Sequence, residues 1–136
     1  MNHKVEKTDA EWRVQLTPEQ YWVCRRKGTE PAFTGRFYDH ETQGVYRCVC
    51  CGETLFRSED KYDSGSGWPS FQRSAGEGAI GTKTDRSLGL SRVEVHCDRC
   101  GSHLGHVFED GPEPTGQRYC INSLALEFEA GHSPRN

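Results

Sequence analysis

The segment Arg118-Tyr119-Cys120-Ile121-Asn122 holds a cysteine with no cysteine close to it in sequence, set among groups that could activate it. Read as a β-strand, it turns Arg118, Cys120 and Asn122 to one face and Tyr119 and Ile121 to the other. A guanidinium beside a thiol favours the thiolate, the nucleophilic form. Asn122 offers an amide donor to whatever Cys120 attacks. The same segment would also describe a small buried thiol with polar neighbours, so the rest of the chain must decide. Upstream, His103-Leu104-Gly105-His106 places two imidazoles three residues apart. They could ligate a metal, handle protons near neutral pH or be solvated surface groups.

Two further motifs bear on metal chemistry. Cys48-Val49-Cys50-Cys51-Gly52 and Cys97-Asp98-Arg99-Cys100-Gly101 each place two cysteines three apart before a glycine. A strand, a Cys-x-x-Cys-Gly turn and a returning strand form a zinc knuckle, and two knuckles supply four thiolates for a closed tetrahedral site. The competing reading is a pair of disulfides or redox-active dithiols. The reducing interior inferred below favours zinc. With residues 52–96 between the pairs, one structural zinc on Cys48, Cys51, Cys97 and Cys100 would cross-link distant parts of the chain. Four thiolates leave no open coordination position, which argues against both a catalytic metal and histidine ligation. Cys50 lies inside the first knuckle, but pairing Cys48 with Cys51 repeats the spacing of the second.

The elements that must position these groups belong to a chain of 136 residues and 15.4 kDa, the size of one domain. Apolar residues make up 33%, with 15 glycines and six prolines, which suits a loop-rich, mainly β fold with extra cross-links. A net charge of −3 gives no basic excess for nucleic acid. No apolar run approaches the roughly 20 residues of a membrane span. The N-terminus has no signal-peptide core. A soluble, cytoplasmic monomer is expected. Residues 1–15 read as a polar arm, 16–130 as the domain and 131–136 as a frayed tail. Thr17-Pro18-Glu19-Gln20 opens a helix that runs to about Lys27, stops at Gly28 and carries Cys24. Strands are expected at 45–48, 92–95 and around Cys120, with a half-buried one at 124–129. Residues 74–89 read as a glycine-rich surface loop. The type of 33–38 stays open. Between the knuckles, Ser64-Gly65-Ser66-Gly67-Trp68-Pro69-Ser70-Phe71 either delivers Trp68 to the core or presents it as a pocket wall.

Taken in order, Cys48-x-x-Cys51-Gly, the 64–71 segment, Cys97-x-x-Cys100, His103 to Phe108, Asp110-Gly111-Pro112 and Arg118 to Ser123 closely resemble the B-type methionine-R-sulfoxide reductases. The resemblance spans about residues 16–129. It implies two antiparallel sheets forming a barrel-like core with short N-terminal helices, and a structural zinc on the four cysteines. It also implies Cys120 as nucleophile on the sulfoxide sulfur, His103 and His106 as proton donors to its oxygen, and Asn122 and Arg118 as orienting and activating groups. Trp68, with Ser66 and Phe71 beside it, would receive the substrate methyl. Cys120 would become a sulfenic acid, a second thiol would condense it to a disulfide, and thioredoxin would reduce that. The substrate would be free methionine-R-sulfoxide or oxidised proteins. Many members carry the recycling cysteine where this chain has Ser66, which leaves Cys24, Cys50 or an external thiol; Cys24 is the expected resolving residue.

Two other classes compete. A non-enzymatic module on the same zinc scaffold could hold a ligand in an aromatic cage built from Trp68 and Phe71, but it would need neither Cys120 nor the histidines. A cysteine acyl transferase would pair Cys120 with His103 or His106 and consume no thiols per turnover.

Overall fold

The structure, a computed structural model, describes residues 4–131 apart from positions 77 and 88. The frayed tail expected at 131–136 lies, save Gly131, outside those residues. Two short helices open the chain, α1 at Asp9–Gln15 and α2 at Pro18–Arg26. Each starts at a reciprocal capping box, Thr8 with Glu11 and Thr17 with Gln20. The stretch read as an N-terminal arm therefore contains a helix. Its Trp12 is buried, and the guanidinium of Arg25 lies 4.3 Å from the ring centroid. α2 ends where Lys27 turns left-handed at φ 59°, one residue before Gly28.

Among the described residues nine strands follow: β1 Gly44–Cys48, β2 Thr54–Arg57, β3 Lys61–Tyr62, β4 Ser70–Phe71, β5 Ile80–Asp85, β6 Arg92–Cys97, β7 His103–Phe108, β8 Arg118–Ile121 and β9 Leu126–Ala130. They form two antiparallel sheets, one of three strands ordered β2-β1-β9 and one of six ordered β3-β4-β8-β7-β6-β5. The mainly β class and the paired sheets match expectation. The sheets stay open, however, and do not close into a barrel. β5 corrects the reading of 74–89 as loop. Ile80, Thr82 and Thr84 suit a strand, but with Gly81, Lys83 and Asp85 between them the segment carries almost no apolar signal. As an edge strand it is held chiefly by main-chain pairing to β6. Residues 33–38, left undecided, are turns.

Aromatic rings join the sheets. Phe56 of the small sheet stacks on Phe71 of the large one, with centroids 4.4 Å apart, and Tyr46 meets Phe71 edge-on at 5.1 Å. All three are fully buried. Such pairs add about 0.5–1.5 kcal/mol each beyond the burial itself. Among the described residues, no helix is long and apolar enough to cross a membrane.

Candidate active site and metal centre

The two knuckles repeat one backbone design. The amide of Gly52 donates to the Cys48 carbonyl at 2.8 Å, and that of Gly101 donates to the Cys97 carbonyl at 2.8 Å. Both glycines sit at positive φ, 83° and 79°, where a side chain would be strained. The knuckles belong to different sheets, β1–β2 and β6–β7, yet the four sulfurs lie within 4.8 Å of one another. Cys48 and Cys100 approach to 3.6 Å, as do Cys51 and Cys97. Tetrahedral zinc with bonds near 2.3 Å requires sulfur separations of about 3.8 Å, so the donor set fits a metal of that size and softness. Arg25 of α2 donates to the Cys100 carbonyl at 3.1 Å and lies 3.9 Å from its sulfur, placing positive charge beside a thiolate-rich cluster.

Cys120 sits elsewhere, in a cavity of about 340 Å³ lined by Thr29, Ser66, Trp68, His106, Phe108 and Asn122 among others. The sheet register puts it directly opposite His106 on β7 and Ser70 on β4. Facing side chains of such pairs lie about 5 Å apart at Cβ. That close β7–β8 approach explains the glycine between the histidines, since a Cβ on Gly105 would come within 2.0 Å of the Cys120 carbonyl oxygen. Burial pushes the Cys120 thiol up; contact with Ser66 and the charge of Arg118 pull it back part of the way. Arg118 is less dedicated to the thiol than the sequence suggested. Its guanidinium is bidentate to Asp110, at 2.8 and 3.2 Å, and lies over Phe108.

The histidines differ. His106 lines the cavity, with Nε2 2.7 Å from Asp85, which leaves Nδ1 for the pocket. Burial draws its pKa down, and Asp85 opposes that. His103 does not line this cavity. It is buried, its ring is 5.6 Å from that of His106, and its Nδ1 is 2.7 Å from Glu94. Glu94, itself buried, is also paired with Lys27 at 3.1 Å. Burial raises the Glu94 carboxyl, but bonding to His103 and Lys27 outweighs this and holds it down at about 2.

Trp68 forms a wall, and its indole N–H donates to the Glu30 carbonyl at 2.9 Å. Asn122 also lines the cavity. Its Oδ1 accepts from the Glu30 amide at 3.0 Å and one Nδ2 hydrogen goes to the Leu104 carbonyl at 3.0 Å, leaving the second for a ligand. Phe71 is not at the site but in the core against Phe56. Cys24 and Cys120 are not brought together: Cys24 is buried beside Cys50 and Ser102, whereas Cys120 adjoins Ser66 and Arg118. Sequence reading missed Thr29, Glu30, Asp85 and Glu94. Asp85 was hidden because its segment read as surface loop, and Glu94 because an acid on a strand ordinarily signals the solvent face. Neither lies directly opposite its histidine in the register, so only side-chain geometry reveals the pairs.

Fold and site together define a two-sheet domain fastened by four cysteines, with a separate single thiol presented in an aromatic-walled cavity. Residues 16–130 match the SelR domain, and the chain belongs to that family. It is 54% identical over 129 residues, 95% of this chain and 98% of the relative, to a peptide methionine sulfoxide reductase MsrB of Leptospira interrogans. A protein of the same name from Hahella chejuensis is 58% identical over 93% of this chain and 91% of its own length. One from Methanosarcina mazei is 54% identical over 93% and 90%.

Proposed function

We propose that this enzyme reduces methionine-R-sulfoxide, free or within oxidised proteins, to methionine. The observation that carries the reading is Cys120 set between His106 and the Trp68 wall in one cavity, in a chain similar over nearly its whole length to peptide methionine sulfoxide reductases. The Cys120 thiolate attacks the sulfoxide sulfur while the aromatic wall receives the methyl group. His106 and the remaining Asn122 donor serve the oxygen, with His103 holding the imidazole pair in place. As the substrate sulfur–oxygen bond breaks, the oxygen passes to the Cys120 sulfur, which is oxidised to a sulfenic acid while the reduced methionine leaves. A second thiol displaces that oxygen as water and forms a disulfide, which thioredoxin reduces. The four-cysteine centre holds one structural zinc. A cytoplasmic location fits cysteines that are metal ligands or unpaired rather than joined in disulfides, and the chain is taken to act as a monomer.

The test supplies separated R and S epimers with thioredoxin and counts thiols. Consumption of the R epimer with loss of protein thiols when thioredoxin is withheld is expected. Turnover of neither epimer would end the reading, and ester cleavage without thiol loss would replace it with acyl transfer.

For recycling, Cys24 remains the proposed resolving thiol, and reaching Cys120 requires α2 to leave its seat. Oxidation with one equivalent of substrate followed by disulfide mapping should show a Cys24–Cys120 link. Cys24→Ser should then complete one turnover and stall with thioredoxin. Normal cycling of that variant would exclude Cys24 and leave the step to Cys50 or to an external thiol acting directly on Cys120.

A further inference from the structure

The loop facing Cys120 carries three serines whose hydroxyls form a chain. Ser70 pairs with Cys120 across β4 and β8 and is fully buried. Its Oγ lies 2.7 Å from Ser64 Oγ and 3.1 Å from the Trp68 carbonyl, and since the Ser64 hydrogen goes to Ser66, the shorter contact has Ser70 donating to Ser64 in preference to the carbonyl. Ser64 Oγ donates to Ser66 Oγ at 2.8 Å. Ser66 Oγ also receives the Trp68 amide at 3.4 Å. A hydroxyl has one hydrogen and two lone pairs. With both lone pairs of Ser66 accepting, its hydrogen is left for another acceptor; Cys120 lines the same cavity, and its sulfur is in side-chain contact with Ser66. The loop reaches this shape through left-handed turns at Gly65 and Gly67, φ 78° and 92°. Each hydroxyl that accepts a hydrogen bond becomes a better donor, so such a chain strengthens toward its end.

We propose that Ser66 is a catalytic residue whose hydroxyl donates to the Cys120 sulfur and stabilises the thiolate, and that Ser64 and Ser70 are positioning residues that aim it. The proposal deepens the reductase reading and rests on Cys120 being its reactive thiol. Other groups face that sulfur. Arg118 is on the same strand, paired with Asp110. His106 lies opposite on β7, tied to Asp85, which also meets Arg92. Glu30 opposes ionisation from the α2–β1 connection, Tyr62 adjoins from β3, and Asp63 is turned to the Gly65 amide. Arg118 is shared with Asp110 and burial works against the charge, which leaves the hydroxyl a large share of the task.

The experiment follows the pH dependence of iodoacetamide alkylation at Cys120 in the metal-loaded full-length chain, mapped by mass spectrometry. It uses no sulfoxide, so it stands even where the reductase assay fails. Ser66→Ala is expected to raise the alkylation midpoint by about one to two pH units, the range for a hydrogen bond to a charged group. Ser66→Thr, which keeps the hydroxyl, should restore most of it. Ser64→Ala should shift the midpoint upward by less, and it provides a second reading should Ser66→Ala fold poorly. A merely structural loop would alter thermal stability without moving the midpoint. An unchanged midpoint in Ser66→Ala overturns the catalytic assignment, and an unchanged midpoint in Ser64→Ala overturns the positioning chain.

Discussion

Replacement of Cys120 by serine is expected to abolish reduction of methionine-R-sulfoxide, a loss of at least about 10⁴-fold, the scale on which enzymes fail when a covalent nucleophile is removed. The hydroxyl is nearly isosteric, so β8 keeps its register with β4 and β7, and the four-cysteine centre is untouched. What is lost is chemistry: oxygen cannot pass through a sulfenic acid and return. The variant should retain wild-type thermal stability and metal content while consuming no sulfoxide and losing no thiol to it. Residual turnover above about one per cent would show that another thiol attacks the substrate. The sites of the remaining thiols make that outcome specific, since four crowd the metal centre and Cys24 and Cys50 are buried.

Cys97→Ser carries the second large effect, on stability. Cys97 is fully buried and its sulfur lies 3.6 Å from that of Cys51 in the other knuckle. Structural zinc supplies roughly 10–16 kcal/mol in isolated zinc-finger peptides, where nothing else holds the fold. Here the aromatic contacts between the sheets persist without it, so only part of that is expected to be lost, about 4 kcal/mol or more. For a chain of this size that corresponds to a fall of about 15 °C or more in Tm. Metal content by atomic absorption should fall from one zinc per chain to a small fraction. A variant that melts with the wild type, or keeps its full zinc, would refute a structural role for the centre.

Much of this was legible beforehand for a physical reason. Knuckles and capping boxes are local devices, so their residues stand a few positions apart and show in sequence. Thr17 to Gln20 announced α2. Thr8 to Glu11 carries the same signature, and α1 was overlooked because the polar run around it suggested an arm. The cysteine strand could be read from the alternation of Arg118, Cys120 and Asn122. What stayed hidden depends on partners far along the chain. β5 is an edge strand held by its main chain, and it delivers Asp85 to His106. Glu94 is buried while its neighbour Val93 is 41% exposed, the reverse of what their polarities suggest, because His103 and Lys27 satisfy the carboxylate. Phe71 looked like a pocket residue beside Trp68 but faces the opposite way, into the core. Trp68 itself had two open readings, and the cavity supports the wall.

Glu30 lies in no regular element, yet its amide binds Asn122, its carbonyl holds the Trp68 indole, and its buried carboxylate accepts the Leu124 amide at 2.9 Å. A few residues on, the Phe33 amide reaches the Gly67 carbonyl at 2.7 Å. At these two points the connection is bonded as a strand would be, although the residues around them are largely exposed. The Glu30 amide is held by buried Asn122, so its exchange with solvent deuterons is expected to report openings of the pocket frame and not the local wandering usual for a connection. One consequence is that Trp68 and Asn122, far apart in sequence, are tied to each other through the backbone of a single residue, Glu30.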